Sequence, residues 1–245
     1  MEERPTILPT DRKALTARIA ARSWSTPQVG IVLGALLLLY FLASFVGLLF
    51  YEEQIPLVRL AASFLIYAVI MVLMALVNRR RGSSWADSFG MGTKQLKKLV
   101  LAPVLYLALI PFLMLAATAW HLLLQYGFGL EIDLQDVAQV VTQEPSWLQA
   151  LYILMAIFVA PLFEEIMFRG LLFPYLVKRG DLVGGTVLVS LLFAMMHFHL
   201  PSFVPLFLLS ATLCLAYWRT GSLWVGIGTH AIFNAVSILV LNVMG

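Results

Sequence analysis

The sequence predicts an all-α fold, a polytopic transmembrane helix bundle of about seven spans with short interfacial helices. Three observations lead there. The 245 residues are 61% apolar and only 12% charged, with a mean hydropathy of +0.92, whereas soluble domains carry about 25% charged residues. The apolar residues gather into runs long enough to cross ~30 Å of hydrocarbon at ~1.5 Å per residue. The basic residues stand beside these runs. The net charge of +3 therefore speaks for membrane orientation and gives no reason to expect a nucleic-acid partner.

In chain order, 1–28 is a polar, basic segment expected on the cytoplasmic side, and 29–245 is one transmembrane domain. Thr10 and Asp11 are helix-capping types, and Leu15 and Ile19 stand four apart among Arg12, Lys13, Arg18 and Arg22. That pattern predicts a short helix on an anionic membrane surface, with a solvated tail as the alternative. Spans follow at 29–50, 57–77, 99–125, 148–170, 183–198, 203–218 and 222–243, the fifth and sixth being short. The first apolar run, from near Ile31, is long enough to span and lacks a small-residue cleavage site, so it reads as a span and not as a cleavable signal. The single cysteine, Cys214, lies in an apolar run and excludes a disulfide framework. No internal repeat stands out.

Loop charge sets the orientation. The N-terminal segment holds five Arg/Lys residues, and the second connection holds Arg79, Arg80, Arg81, Lys94, Lys97 and Lys98. The first connection (Glu52, Glu53) and the third (Glu131, Asp133, Asp136, Glu144) hold no basic residue. Lys178, Arg179 and Arg219 fall on the side of the basic loops. The positive-inside rule then puts the N-terminus in the cytoplasm and the C-terminus on the opposite side; Arg59 fits by snorkelling outward from the start of the second span. Between spans, Trp85, Phe89 and Met91 within 83–98 suggest a segment resting on the membrane interface. Leu134, Val137 and Val141 predict a short outer amphipathic helix over 133–142, ended by Pro145.

The fourth span carries the chemistry. Glu164, Glu165 and Arg169 lie in an apolar segment where each charge costs a few kcal/mol on insertion scales, roughly 2.5–3.5 for Asp or Arg at a helix centre. Glu165 and Arg169 are four apart with the acid first, the favourable orientation for an ion pair. Glu164 points about 100° away from that pair, and a buried carboxyl group without a strong counter-charge suits a general base. Counting at ~1.5 Å per residue puts Glu164 roughly 20–25 Å from either end. Gly170 and Pro174 are expected to end or kink this helix. The fifth span brings Phe193 and His197 on one face, with His199 beside a loop proline read as a packing residue. The seventh brings His230 and Asn234 four apart, after Gly226 and Gly228, whose lack of bulk allows close approach of a helix or of substrate. Each set alone is also compatible with helix pinning. Taken together, Glu164, His197, His230 and Asn234 are the parts needed for water-driven acyl hydrolysis: Glu164 to take a proton from water, His197 to hold that water, His230 and Asn234 to receive the oxyanion. Straight helices leave His197 near the outer end of its span but His230 a third of the way from the inner side. The fifth span is therefore expected to tilt or re-enter, or the boundaries there to shift.

Glu-Glu-x-x-x-Arg at 164–169, Phe-x-x-x-His at 193–197 and His-x-x-x-Asn at 230–234, in separate late helices, resemble the CPBP intramembrane proteases. That family includes the type II CAAX prenyl endopeptidases and the bacterial Abi and bacteriocin-processing proteins. The likeness covers about 145–240, and Thr220-Gly221-Ser222-Leu223-Trp224 is similar to the usual lead-in to the last motif. The resemblance implies an intramembrane endopeptidase with Glu164 and His197 activating water, His230 and Asn234 as oxyanion site, and Glu165 with Arg169 as a structural ion pair. Its partners would be the lipid bilayer and a peptide or protein substrate presented at the membrane, lipidated or not, such as a prenylated C-terminal tail or a leader segment. Members are often labelled metalloproteases. No cofactor is the favoured expectation here, since no His-Glu-x-x-His helix is present and Asn is a poor zinc ligand; Zn²⁺ on Glu164, His197 and His230 is the alternative. Two other readings stay open: a non-proteolytic membrane chaperone or immunity protein, and a proton-coupled transporter, which the lack of an inverted repeat disfavours.

Overall fold

A computed structural model describes residues 11–49, 56–130 and 146–244. Helices α1 (Arg12–Ala21), α2 (Thr26–Leu49), α3 (Pro56–Arg80), α4 (Trp85–Phe89), α5 (Thr93–Leu96) and α6 (Leu101–Leu122) come first. Then come α7 (Ser146–Arg179), α8 (Leu182–Met195), α9 (Phe203–Thr220) and α10 (Leu223–Met244). Strands are absent among the described residues. Six stretches, containing α2, α3, α6, α7, α9 and α10, are long and apolar enough to cross a membrane. The fifth expected span, 183–198, is α8, which has 14 residues, or about 21 Å, short of the ~30 Å hydrocarbon core. The chain is an integral, multi-pass membrane protein. Large apolar side chains such as Phe41, Phe112 and Leu115 face outward from the bundle, as lipid-facing positions do, while α7 is the most enclosed of the long helices. The outer helix expected at 133–142 lies outside the described residues.

Two expectations need correction at the basic end. Helix α1 starts as expected, with the Asp11 side chain accepting from Lys13 N–H at 2.8 Å, but it does not simply lie on lipid. Leu15 and Ile19 are buried in the protein, and Arg18 and Arg22 turn inward onto the C-terminus of α9. Arg18 donates to the carbonyls of Trp218 (2.7 Å) and Arg219 (3.3 Å), and Arg22 to that of Gly221 (3.0 Å). Cations there satisfy the unpaired carbonyls and complement the helix dipole. Burial first, and the Arg22 charge second, lower the proton affinity of Arg18. Gly221 ends α9 at φ +65°, left-handed backbone suited to glycine.

The connection 83–98 likewise wedges into the protein at Ser88–Gly90, while no residue of Thr93–Leu96 is buried. Phe89 is fully buried, and its ring fills the space a Cβ on Gly170 would occupy, 2.6 Å from Phe89 Cδ1. Its backbone is tied to the start of α10: Leu223 N–H donates to Gly90 O (3.4 Å), Trp224 Nε1–H to Met91 O (3.0 Å) and Ser222 Oγ–H to Gln95 O (2.8 Å). Asn78, itself buried, anchors the wedge by accepting from Ser88 Oγ–H at 2.6 Å and donating to Ser83 O at 2.8 Å.

Helix α7 also departs from expectation, since it runs through Gly170 and Pro174 to Arg179. Two wide π-turns, Met155–Val159 and Ile166–Leu172, make this continuity possible. Pro161 and Pro174 each follow one of them, in the first turn of the next α-helical segment. A proline ring clashes with the carbonyl four residues back in a regular helix. A π-turn moves that carbonyl away.

Candidate active site

The four expected residues sit on three elements. On α7, Glu165 and Arg169 form a fully buried ion pair, Nη1 to Oε1 at 2.8 Å. Arg169 also donates to Ser210 O of α9 at 3.1 Å, and its guanidinium lies 4.7 Å over the Phe193 ring. Glu165 does more than pair. Its Oε1 also lies 3.2 Å from His230 Nδ1, so His230 donates an Nδ1 hydrogen to a carboxylate that Arg169 holds in place. The Nε2 of the same ring faces Glu164 Oε2 at 3.8 Å. Glu164 Oε2 is buried without a hydrogen-bond partner. An imidazole held this way presents an Nε2 lone pair when neutral and an N–H when protonated.

Asn234, one turn after His230, donates its Nδ2 hydrogen to Ala156 O at 2.7 Å. That carbonyl is free for a local reason. In the first π-turn Ala160 N–H bonds five residues back to Met155 O, so the next such bond would need an N–H on Pro161, which has none. Asn234 supplies the missing donor and keeps a second amide hydrogen.

His197 follows α8. Its Nδ1 lies 2.7 Å from Phe193 O, and since a carbonyl only accepts, the hydrogen is on Nδ1 and Nε2 is left as an acceptor. The ring contacts Phe193, centroids 4.8 Å apart, and Phe193 in turn contacts His230 at 5.6 Å. Phe193 is fully buried; it spaces the two histidines rather than lining a cavity. Gly226 and Gly228 both serve close approach. A Cβ on Gly226 would come 2.7 Å from Glu165 Oε2, and one on Gly228 would strike Leu99 and Ala102 at the base of α6.

The depth mismatch between His197 and His230 disappears at the wedge. Phe89 touches Gly170, about 13 Å up α7 from Arg179 at ~1.5 Å per residue, and the adjoining Gly90 holds Leu223. Helix α10 thus begins inside the bundle. His230, seven residues on, rises roughly 10 Å from there, and Glu164 rises roughly 9 Å above Gly170. The expected bounds, 222–243, match α10 (Leu223–Met244); what differs is that this helix begins below the surface from which its depth was counted.

Both histidines engage Nδ1 and leave Nε2 open, and among the described residues no three His, Cys, Asp or Glu side chains are gathered as a ligand set.

Fold and site together define a multi-pass helical membrane protein with a carboxylate, imidazole and amide cluster inside its bundle. Residues 145–236, less than half of the chain, match the family described as type II CAAX prenyl endopeptidase Rce1-like. The candidate membrane peptidase YdiL of Bacillus subtilis (strain 168) is 26% identical over 115 residues, 46% of this chain and 45% of YdiL. The aligned stretch thus covers less than half of that relative. No solved structure matches. Over these residues the chain is similar to the CPBP family of intramembrane proteases.

Sequence reasoning missed the bond from Glu165 to His230, the acceptor of Asn234 and the π-turns. The first two depend on neighbouring helices. The π-turns left a signal in Pro161 and Pro174, prolines inside a long apolar run.

Proposed function

We propose that the chain is an intramembrane endopeptidase that hydrolyses a peptide bond of a substrate presented at the membrane, a prenylated C-terminal tail or a leader segment. The observation that carries this reading is Glu164 Oε2, buried without a partner and 3.8 Å from His230 Nε2. A carboxylate that no protein donor engages is poised to take a proton. In the proposed reaction Glu164 accepts a proton from water while His197 Nε2 accepts the water's second hydrogen in a hydrogen bond. The water oxygen bonds to the scissile carbonyl carbon. Protonated His230 and the second amide hydrogen of Asn234 stabilise the oxyanion. Collapse breaks the C–N bond, and the proton held by Glu164 leaves with the amine. Glu165 and Arg169 orient His230. The N-terminus is cytoplasmic and the C-terminus lies on the opposite side in this reading.

A chaperone or immunity protein that keeps the cluster as a core is favoured by one observation, the bond from Asn234 to Ala156, which ties α10 to α7. Purified wild type, Glu164→Gln, His197→Ala and His230→Ala, incubated with prenylated C-terminal peptides and leader peptides with and without chelator, separate the readings by mass spectrometry. Glu164→Gln should lower turnover by about 10²–10⁴-fold and His230→Ala by about 10²–10³-fold, with chelator sparing the wild type. Cleavage that persists in every variant overturns the assignment; loss on chelation with rescue by Zn²⁺ overturns the metal-free mechanism alone.

A further inference from the structure

The basic end of the bundle carries more positive charge than its hydrogen bonds engage. Arg18 and Arg22 of α1, and Lys98 in the turn before α6, close on the last turn of α9. Lys98 Nζ donates to Thr220 O at 2.6 Å, beside the carbonyls that take the two arginines. Glycines make room for this convergence: a Cβ on Gly221 would lie 2.8 Å from Arg18 Cζ, and one on Gly90 2.6 Å from Arg22 Nη1. Three full charges thus meet a helix end worth about half a negative charge. No carboxylate of the described residues pairs with any of the three. Nor are their donors used up. Arg18 Nε is buried without an acceptor, Arg22 bonds only through Nη1, and the Lys98 ammonium gives one hydrogen to Thr220 O and keeps the others.

The surroundings say which anion fits. Lys94 and Lys97, exposed on the same short segment as Lys98, extend the positive charge to the surface. Immediately after Lys98 the chain turns apolar and outward: Leu99 is 39% and Val100 70% exposed, and the apolar helix α6 follows. A ligand at this place meets cations on one side and hydrocarbon on the other. An anionic phospholipid has both halves, whereas free phosphate has no use for the apolar one. Basic pockets at the ends of membrane spans bind lipid headgroups in this way.

We propose that Arg18, Arg22 and Lys98, with Lys94 and Lys97 at the rim, form a site for the headgroup of one anionic phospholipid. Its phosphate takes the unused N–H groups, and its acyl chains run past Leu99 and Val100 along the start of α6. The bound phosphate ties α1 to the segment before α6 across the end of α9, so the lipid strengthens the docking of the N-terminal helix. This inference stands apart from the protease reading and does not depend on it.

Native mass spectrometry of the purified full chain with phosphatidylglycerol tests this, with phosphatidylcholine and glycerol phosphate as comparisons. One phosphatidylglycerol should stay bound where phosphatidylcholine does not, and it should raise the thermal unfolding midpoint. Lys97→Gln with Lys98→Gln should weaken binding by about fivefold for each cation removed. Lys98 also caps α9, so Lys94→Gln with Lys97→Gln, both at exposed positions, gives the same readout if loss of that cap unfolds the protein. Arg79→Gln with Arg80→Gln removes equal charge from exposed positions at the end of α3 and should leave the affinity nearly unchanged. An equal loss in the Arg79 and Arg80 variant means diffuse surface charge and overturns the site, as does undiminished binding in both lysine variants. Retention of phosphatidylcholine to the same extent, or displacement of the lipid by an equal concentration of glycerol phosphate, overturns the phospholipid as occupant.

Discussion

At the scale of single residues, the fully buried Glu165 holds the site together. Its Oε1 meets both Arg169 and His230, so removing its charge strands one cation in the bundle and frees one imidazole. Breaking a buried pair from one side costs about 3–5 kcal/mol, whereas replacing both partners by apolar groups is often neutral. Glu165→Gln should therefore lower the thermal unfolding midpoint in detergent sharply, and Glu165→Leu with Arg169→Met should recover most of it. Activity should return in neither, because His230 stays unheld. Full activity in the double variant would reduce Glu165 to the structural partner the sequence suggested. Glu164, Glu165, Arg169, His197, His230 and Asn234 were legible because polar groups in apolar runs are expensive. Their partners were not. Spacing along a helix tells which residues share a face, and the acceptor of Asn234 depends on a backbone carbonyl three helices away.

Among the elements, the wedge around Phe89 sets the register of α10 against α7. The long helices were legible from hydropathy to within a few residues, except that α7 ran on to Arg179. Their relative depths were not, because hydropathy counts residues from a presumed surface and α10 starts below it. Phe89→Ala leaves a void against Gly170 and Trp24, whose ring lies 5.9 Å from that of Phe89. Truncating a buried Phe costs about 3–5 kcal/mol. Cleavage should fall further than stability accounts for, since Leu223 is held by the neighbouring Gly90 and a shift there moves His230. Assays at a temperature where variant and wild type are both folded separate the two effects. Equal specific activity per folded molecule would mean that α10 keeps its depth without the wedge.

For the molecule as a whole, the basic residues converge on one end. Arg18, Arg22 and Lys98 meet the C-terminus of α9, Arg81 donates to Ser23 O, and Arg179 donates to Thr26 Oγ1. Three stretches far apart in sequence thus share one pole, which the orientation proposed from the positive-inside rule puts in the cytoplasm. Tyr126, 77% exposed, lies in the π-turn Leu123–Gly127 that follows α6 at the far pole, one membrane crossing away from Lys94. The native Cys214 is fully buried and should stay silent to thiol reagents. Single cysteines at these positions then read the orientation in sealed cells with a membrane-impermeant maleimide. Tyr126→Cys should label from outside, and Lys94→Cys only after permeabilisation. Glu164 lies above the wedge, so under the proposed protease reading and orientation a substrate tail entering from the cytoplasm must pass the basic pole, where acidic flanking residues would be held and basic ones repelled. The reverse labelling pattern would place the far pole in the cytoplasm and remove that charge filter from the path of cytoplasmic substrates.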